Sequence, residues 1–286
     1  TRGKIGAPTA AGPARDGIMR RGIAARVTRE KTAACGPRTM ERVSLTGNER
    51  LDDLQYRGRF IIQRPDAFCF GIDAVLLARF PHYRGRDRVL DLGTGAGILP
   101  LLMADQVAQV AAVEIDGTLA DMARRSVAMN GLTAKVAVRQ GDYRDMANLY
   151  ARGSFDLVLA NPPYYPLGRG RKNPNLSLAR ARHESSATLS QVVAAARYAL
   201  RFRGRMAMVH LPERLDEIGM VFQETGLAIK RARLVEPRRG KPPCLLLVEA
   251  VVGGAAGAIR WLPTLTIYEV DGGYTPETLA IYGGNG

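Results

Sequence analysis

Between Arg88 and Ala250, short apolar runs alternate with longer segments in which apolar positions recur at helical spacing. The runs Val89–Leu92, Val110–Ile115, Lys135–Gln140, Phe155–Ala160, Gly204–His210, Leu227–Val235 and Cys244–Ala250 are bounded by polar or turn-forming residues. Runs of this length with few charges read as strands covered on both faces. Helices are predicted over 98–106, 117–130, 187–203 and 212–225. Strictly alternating strands and helices give an α/β fold, a mostly parallel sheet with helices on both sides. Upstream, Val43 to Gln63 has short apolar segments around polar turns and reads as a β-hairpin or irregular cap, spanning 43–65, over the ligand-binding edge of the sheet. Phe70 to Phe80 opens a further helix, with Asp73 near its start, where a carboxylate suits the helix dipole. Thr264–Glu269 adds a peripheral strand, and no internal repeat is seen.

The first strand runs into Asp91-Leu92-Gly93-Thr94-Gly95-Ala96-Gly97-Ile98, a glycine turn that opens a helix. Glycines at alternate positions let backbone approach a ligand without Cβ clashes. The spacing is G-x-G-x-G, and Ile98 stands where a dinucleotide loop wants glycine; the Gly-Lys-Ser/Thr of a phosphate loop is also missing. S-adenosylmethionine, which has no phosphate, fits this turn better. Glu114 closes the second strand at the position where doubly wound folds grip a ribose, and is expected to accept from both ribose hydroxyls. Asp142, just past the third strand, is the expected adenine contact, against the plainer role of helix N-cap or turn residue.

Asn161-Pro162-Pro163-Tyr164 follows the fourth strand, at the sheet edge where open α/β folds bind ligands. The lone pair of an exocyclic amine is delocalised into its ring, so that nitrogen is a poor nucleophile until acceptors polarise its N–H bonds. The Asn161 amide oxygen and the Pro162 carbonyl are the candidate acceptors. Two prolines fix φ at about −65° and restrict the residue before each, which holds those acceptors in one geometry. Preorganised dipoles of this kind lower a barrier without a charged base. Tyr164 is expected to offer its ring to the target base, a contact worth ~1–3 kcal/mol. By itself the tetrapeptide is equally a rigid turn after a strand.

Charge refines the picture. The 41 Lys and Arg exceed the 27 Asp and Glu by 14, but half of that excess falls in residues 1–39. That segment is rich in Arg, Ala, Gly and Pro without hydrophobic period, so it reads as a disordered basic segment. With Met40 beside the first patterned sequence, it stands as translation upstream of the natural start or, alternatively, as an RNA-binding arm. Residues 40–286 then form a single domain. Arg169, Arg171, Lys172 and Arg182 lie beside the tetrapeptide, and Arg238, Arg239 and Lys241 form a second basic loop before the seventh strand. Either set holds phosphates or is an ordinary solvated loop, and Arg182 with Glu184 is also readable as a local pair. Three scattered cysteines form no metal or disulfide pattern, which points to a reducing cytoplasm. No stretch has the length and apolarity of a membrane span.

Phe70-Gly71-Ile72-Asp73-Ala74, the glycine turn, Asn161-Pro162-Pro163-Tyr164-Tyr165, Ala181-Arg182-His183-Glu184 and the tail Leu262-Pro263, Ile267-Tyr268 and Asp271-Gly272-Gly273-Tyr274-Thr275 resemble the bacterial tRNA(Val) adenine-N6 methyltransferase family. The resemblance covers about residues 42–286. It implies a class I methyltransferase (Rossmann-like) fold, with a seven-stranded mostly parallel sheet whose last strand is antiparallel. It implies S-adenosylmethionine as donor, S-adenosylhomocysteine as product, and the adenosine 3′ of a tRNA anticodon as acceptor, with no metal. Cofactor roles fall by that similarity on Phe70, Gly71, Asp73, Asp91, Gly93, Thr94, Gly95, Gly97, Glu114, Ile115, Asp142, Tyr143 and Asn161. Asn161, Pro162, Pro163 and Tyr164 hold the adenine. On the phosphate-holding reading of the basic loops, Tyr165, Arg169, Arg171, Lys172, Arg182, Arg238, Arg239 and Lys241 are expected to face the RNA. The partner is tRNA, the compartment the cytoplasm, and the oligomeric state is open with a monomer favoured. Glutamine-N5 and DNA adenine-N6 methyltransferases share the tetrapeptide, but the first carries a helical amino-terminal domain and the second a long target-recognition region. A guanine-N2 rRNA enzyme more often has Phe where Tyr164 stands. A non-catalytic RNA-binding scaffold on the same fold would transfer no methyl group.

Overall fold

A computed structural model describes residues 25–26, 44–65, 71–162, 164 and 188–283. In chain order the elements are β1 (Ala25–Arg26), β2 (Arg50–Asp53), β3 (Phe60–Gln63), α1 (Ile72–Arg79), β4 (Arg88–Leu92), α2 (Ile98–Met103) and β5 (Gln109–Glu114). There follow α3 (Gly117–Met129), β6 (Val136–Gln140), α4 (Met146–Leu149), β7 (Phe155–Ala160), α5 (Leu189–Ala199) and β8 (Leu200–His210). The chain continues through α6 (Leu215–Glu224), β9 (Leu227–Arg238), β10 (Leu245–Val252), β11 (Arg260–Trp261), β12 (Leu265–Tyr268) and α7 (Pro276–Gly283).

A nine-stranded sheet has the order β11-β9-β10-β8-β7-β4-β5-β6, with β12 also paired to β9. From β6 through β4 to β8 all pairs are parallel, while β10 is antiparallel to both of its neighbours. The seven expected strands and the antiparallel last one are present. β12 is the peripheral strand anticipated near the end, and β11, which the sequence pattern does not signal, joins the same edge. One face of the sheet buries Val110, Leu157, Leu159 and Val209 on the side of α1, α2 and α3, with Leu101 of α2 in the same cluster; the other buries Val158, Met206 and Met208 on the side of α5 and α6, with Val193 and Phe222 of those helices. Parallel strands must be covered on both sides, and β7 is: from Leu157 to Ala160 it is fully buried. No helix among the described residues is long and apolar enough to cross a membrane.

Local sequence accounts for the boundaries. Asp116 caps α3 by accepting from the Thr118 and Leu119 N–H groups. Thr188 and Gln191 form a capping box at the start of α5. The helix expected over 187–203 ends at Ala199, because Leu200 pairs with Phe155 and starts β8 four residues earlier than the apolar run suggests. Arg201 secures that early start through an ion pair with Asp156. Helix 212–225 divides into a 3₁₀ turn, Pro212–Arg214, and α6; the tail of 98–106 is likewise a 3₁₀ turn after α2. β9 runs to Arg238, three residues past expectation.

β2 and β3 form the expected antiparallel hairpin, which docks on α3 through side chains that complete its backbone. Asn130 accepts from Phe60 N–H and donates to Phe60 C=O, at 3.0 and 2.7 Å, while Ser126 Oγ accepts from Ile62 N–H at 3.0 Å. An unpaired strand edge is thereby satisfied without a further strand. Arg125 grips Glu49 with two nitrogens at 2.6 and 2.9 Å, and this hydrogen bond holds the Glu49 carboxyl down to about 2. Ala25–Arg26 pair antiparallel with Asp52–Asp53 on the open side of the hairpin; the rest of residues 1–39 lies outside the described residues.

Asn130→Ala strips both polar groups of Phe60 of their partner and is expected to cost about 1–3 kcal/mol. Hydrogen exchange should then speed up over residues 50–63 while β4 and β7 keep their protection.

Candidate active site

The parallel register assembles the site. Leu92 pairs with Ala160 on one side and with Val113 on the other, so Gly93, Asn161 and Glu114 emerge side by side from adjacent strands. Ala160 also pairs with Met208, which brings the carboxyl end of β8, His210, to the same edge. Gln140 pairs with Glu114 and delivers Gly141 and Asp142 there.

Gly93, Gly95 and Gly97 all adopt positive φ, at 71°, 58° and 94°. Gly93 and Thr94 donate to Val113 O, and Gly97 donates to Thr94 O. A Cβ on Gly97 would come within 3.2 Å of Ala123 Cβ, so a side chain there meets α3 as well as a left-handed backbone. A Cβ on Gly95 would meet nothing within 4 Å, so the centre of the turn opens onto free space.

Asp91 is fully buried on β4, and neither of its carboxylate oxygens has a hydrogen-bond partner; the hydroxyl of Thr94 is likewise buried without one. Burial pushes the Asp91 carboxyl up to about 7; the adjacent Thr94 hydroxyl, near the carboxylate but outside hydrogen-bonding geometry, opposes the rise, and the charge of Glu114 adds to it. An orphaned carboxylate is costly unless a ligand completes it. Glu114 receives Gly95 N–H at 2.8 Å and Asp116 N–H at 3.0 Å, one on each oxygen, which leaves a lone pair on each for a hydroxyl. Ile115, 38% exposed, presents an apolar surface next to it. S-adenosylmethionine fits this donor set: Asp91 would face its ammonium, Glu114 its ribose diol and Ile115 its base.

Asp142 has a local role as well. It caps the 3₁₀ turn Tyr143–Asp145, accepts from Arg144 N–H at 2.9 Å and from Arg144 Nε at 2.7 Å, and the Arg144 contact lowers its pKa. The turn role is thus filled, and Oδ1 keeps a lone pair beside its Arg144 N–H contact, so the same carboxylate remains able to accept from a ligand. Tyr143 lies against Gly93, within 3.8 Å of where a Cβ would stand, and burial raises its phenol to about 12.

At the end of β7, Asn161 and Tyr164 meet Asp73, the second residue of α1, whose N-cap is Gly71. Tyr164 Oη lies 2.7 Å from Asp73 Oδ2 and 2.9 Å from Asn161 Oδ1, and Asn161 Nδ2 donates to Asp73 Oδ2 at 3.3 Å. The Tyr164 ring stands edge-on to His210 at 5.4 Å, and Arg214 Nη1 donates to the Tyr164 carbonyl at 3.3 Å. Tyr164 is therefore anchored at its ring, hydroxyl and backbone, a more constrained residue than a simple stacking platform. Burial, reinforced by Arg214, takes the His210 imidazole down to about 4, so it is neutral at pH 7. His210 and Arg214 were missed in the sequence; the available signal was the place of His210 at the end of an apolar strand on the ligand edge.

Pro162 adjoins Asn161, but Phe70, Pro163, Tyr165, Arg169, Arg171, Lys172 and Arg182 lie outside the described residues. Arg238, Arg239 and Lys241 are exposed in the turn between β9 and β10, on the same edge of the sheet as His210.

Residues 70–217 match the model of the methyltransferase small domain family. A protein of Tolumonas auensis named tRNA1(Val) (adenine(37)-N6)-methyltransferase is 28% identical over 218 residues, covering 75% of this chain and 88% of its own. A protein of Porphyromonas gingivalis with the same name is 29% identical over 220 residues, with 74% and 86% covered. Among solved structures, one described as a predicted O-methyltransferase of Agrobacterium tumefaciens aligns over 74% of this chain and 96% of its own, with TM-score 0.59 and 23% identity, a likeness of fold.

The raised pKa of Asp91 has a sign that can be checked. The folded state holds its proton up to about pH 7, whereas an unfolded aspartate releases it at about 3.9. Stability from this group is present below pH 4 and is lost as pH rises to 7. Asp91→Asn should therefore raise the ligand-free Tm over wild type by a few degrees at pH 8 and hardly at all at pH 4, as followed by calorimetry.

Proposed function

The chain belongs to the methyltransferase small domain family, and on that premise we propose that it methylates the exocyclic N6 amine of an adenosine in tRNA. The acceptor is the adenosine immediately 3′ of the anticodon of a valine tRNA, and the reaction belongs to the cytoplasm. The observation that carries this reading is the side-by-side emergence of the glycine turn and Asn161 from paired strands, with an orphaned carboxylate behind the turn. The names of the Tolumonas and Porphyromonas relatives support the choice of acceptor.

S-adenosylmethionine supplies a methyl group on a sulfonium centre. The chain supplies placement and polarisation. Asp91, ionised once a cation faces it, holds the ammonium end of the donor, and Glu114 holds the ribose. Asn161 Oδ1 and the Pro162 carbonyl accept the two N–H bonds of the adenine amine, which returns electron density to its nitrogen. Fixing both reactants in one geometry replaces the need for a strong base: the carbon–sulfur bond breaks as the carbon–nitrogen bond forms, S-adenosylhomocysteine leaves, and the surplus amine proton passes to water afterwards. His210, neutral at pH 7, adds no charge that would repel the cationic donor. An anticodon-loop base is single-stranded, so turning it out into the site is inexpensive. Arg238, Arg239 and Lys241 stand on the edge that the RNA approaches and neutralise its phosphates.

Asn161→Ala should lower methyl transfer to an unmodified valine tRNA transcript by about 100-fold or more while leaving the dissociation constant for S-adenosylmethionine within about two-fold. A variant that keeps the wild-type rate removes Asn161 from the reaction. Replacing Arg238, Arg239 and Lys241 together by Ala should flatten the log–log salt dependence of RNA binding by roughly 2, at roughly 0.7–0.9 per phosphate contact, as measured by filter binding. An unchanged slope takes that turn out of the RNA interface.

A further inference from the structure

We infer that Asp73 is a positioning residue for the methyl-transfer step, one that fixes which end of the Asn161 amide faces the substrate. The inference rests on the reading of Asn161 as the acceptor of the amine. By resemblance alone Asp73 is a cofactor residue; its contacts point to Asn161 and Tyr164 instead.

An asparagine side chain presents either an oxygen or an NH₂ group, and only the oxygen can accept from an amine. Nothing in the backbone of Asn161 selects between them. Asp73 does: its carboxylate has only acceptors, so the Asn161 NH₂ turns toward Oδ2, 88 residues away in the chain, and Oδ1 turns the other way. Asp73 is 5% exposed and, among the described residues, no Lys or Arg forms an ion pair with it. Among the described residues its charge is met by hydrogen-bond donors, the Ala74 N–H at 2.9 Å, the Tyr164 hydroxyl and the Asn161 amide. A charge-assisted hydrogen bond to NH₂ also draws electron density onto the amide oxygen, which strengthens it as an acceptor.

The Tyr164 hydroxyl makes the selection sharper. It has one proton and two neighbours able to take it, Asp73 Oδ2 at 2.7 Å and Asn161 Oδ1 at 2.9 Å. The ionised carboxylate is the stronger acceptor and the closer one. With the phenol proton on Asp73, Asn161 Oδ1 keeps its accepting capacity for the substrate. Removing the Asp73 charge sends that proton to Oδ1 and frees the amide to flip, and both changes weaken activation of the amine without touching the glycine turn.

The test uses the full chain, an unmodified valine tRNA transcript and radiolabelled S-adenosylmethionine. Asp73→Asn should lower kcat by about ten-fold or more with the dissociation constant for S-adenosylmethionine within about two-fold. Asn161→Asp sets two carboxylates against each other and should be as inactive as Asn161→Ala. The exchange D73N/N161D restores a donor facing an acceptor, and should regain at least ten-fold in kcat over Asn161→Asp. The same cycle read by thermal unfolding needs no substrate: the exchanged pair should be more stable than the two single variants predict by addition. Wild-type kcat in Asp73→Asn, a loss confined to cofactor affinity, or an active Asn161→Asp beside an inactive Asn161→Ala overturns the inference. Full activity in Asn161→Ala overturns the reading of Asn161 itself, a different failure. If Asp73→Asn does not fold, the comparison of Asn161→Asp with Asn161→Ala in the wild-type background still decides.

Discussion

The pairing of β4 between β5 and β7 is the constraint from which the site follows. Because Leu92 is level with both Val113 and Ala160, the glycine turn, Glu114 and Asn161 leave the sheet at one height, separated by strand spacings of about 4.8 Å. A slip of one residue in either ladder would turn every side chain of the strand to the opposite face, taking Leu157 and Leu159 out of one half of the core and Leu90 and Val158 out of the other. The hydrophobic pattern that folds the sheet therefore also sets the distance between the cofactor turn and the acceptor turn. The chemistry borrows its precision from the core.

The edge so formed carries groups that the fold alone would not choose. Asp91 is sealed in the sheet with two unsatisfied oxygens, Thr94 is buried without a partner, and three glycines hold left-handed backbone. Asp73 is a buried carboxylate met, among the described residues, by hydrogen-bond donors. The unsatisfied Asp91 oxygens oppose the stability of the ligand-free chain, and on the proposed reading they await a cationic donor. Structural work is done elsewhere: Asn130 and Ser126 pin the hairpin to α3, and Arg125 grips Glu49 far from the glycine turn in sequence.

Strands and turns were legible in the sequence because their causes are local. The limits of β7, Phe155–Ala160, coincide with its apolar run, and β4, β5 and β6 fall within a residue of theirs. The glycine turn and the Asn-Pro pair announced themselves by residue type. What escaped depends on partners distant in the chain. Helical spacing continued past Ala199, but pairing of Leu200 with Phe155 claimed the next residues for β8. β11 is two exposed residues, Arg260 and Trp261, with no pattern of their own. The contact of Asp142 with its neighbour Arg144 carried no signal in the sequence beyond the turn preference of Asp. Asp73 suited a helix start, and nothing in its surroundings named Asn161 as its partner. His210 and Arg214 carry no motif, and only the register of β8 puts them beside Tyr164.

The central claim is that this edge carries a methyl group to an adenine amine of RNA. Its most direct measurement is mass spectrometry of nucleosides and peptides after incubating the protein with unmodified valine tRNA and S-adenosylmethionine bearing a deuterated methyl group. The account predicts the label on N6-methyladenosine, in the anticodon-loop fragment, at the base 3′ of the anticodon. Label on a glutamine side chain, on another nucleoside, or nowhere would contradict it.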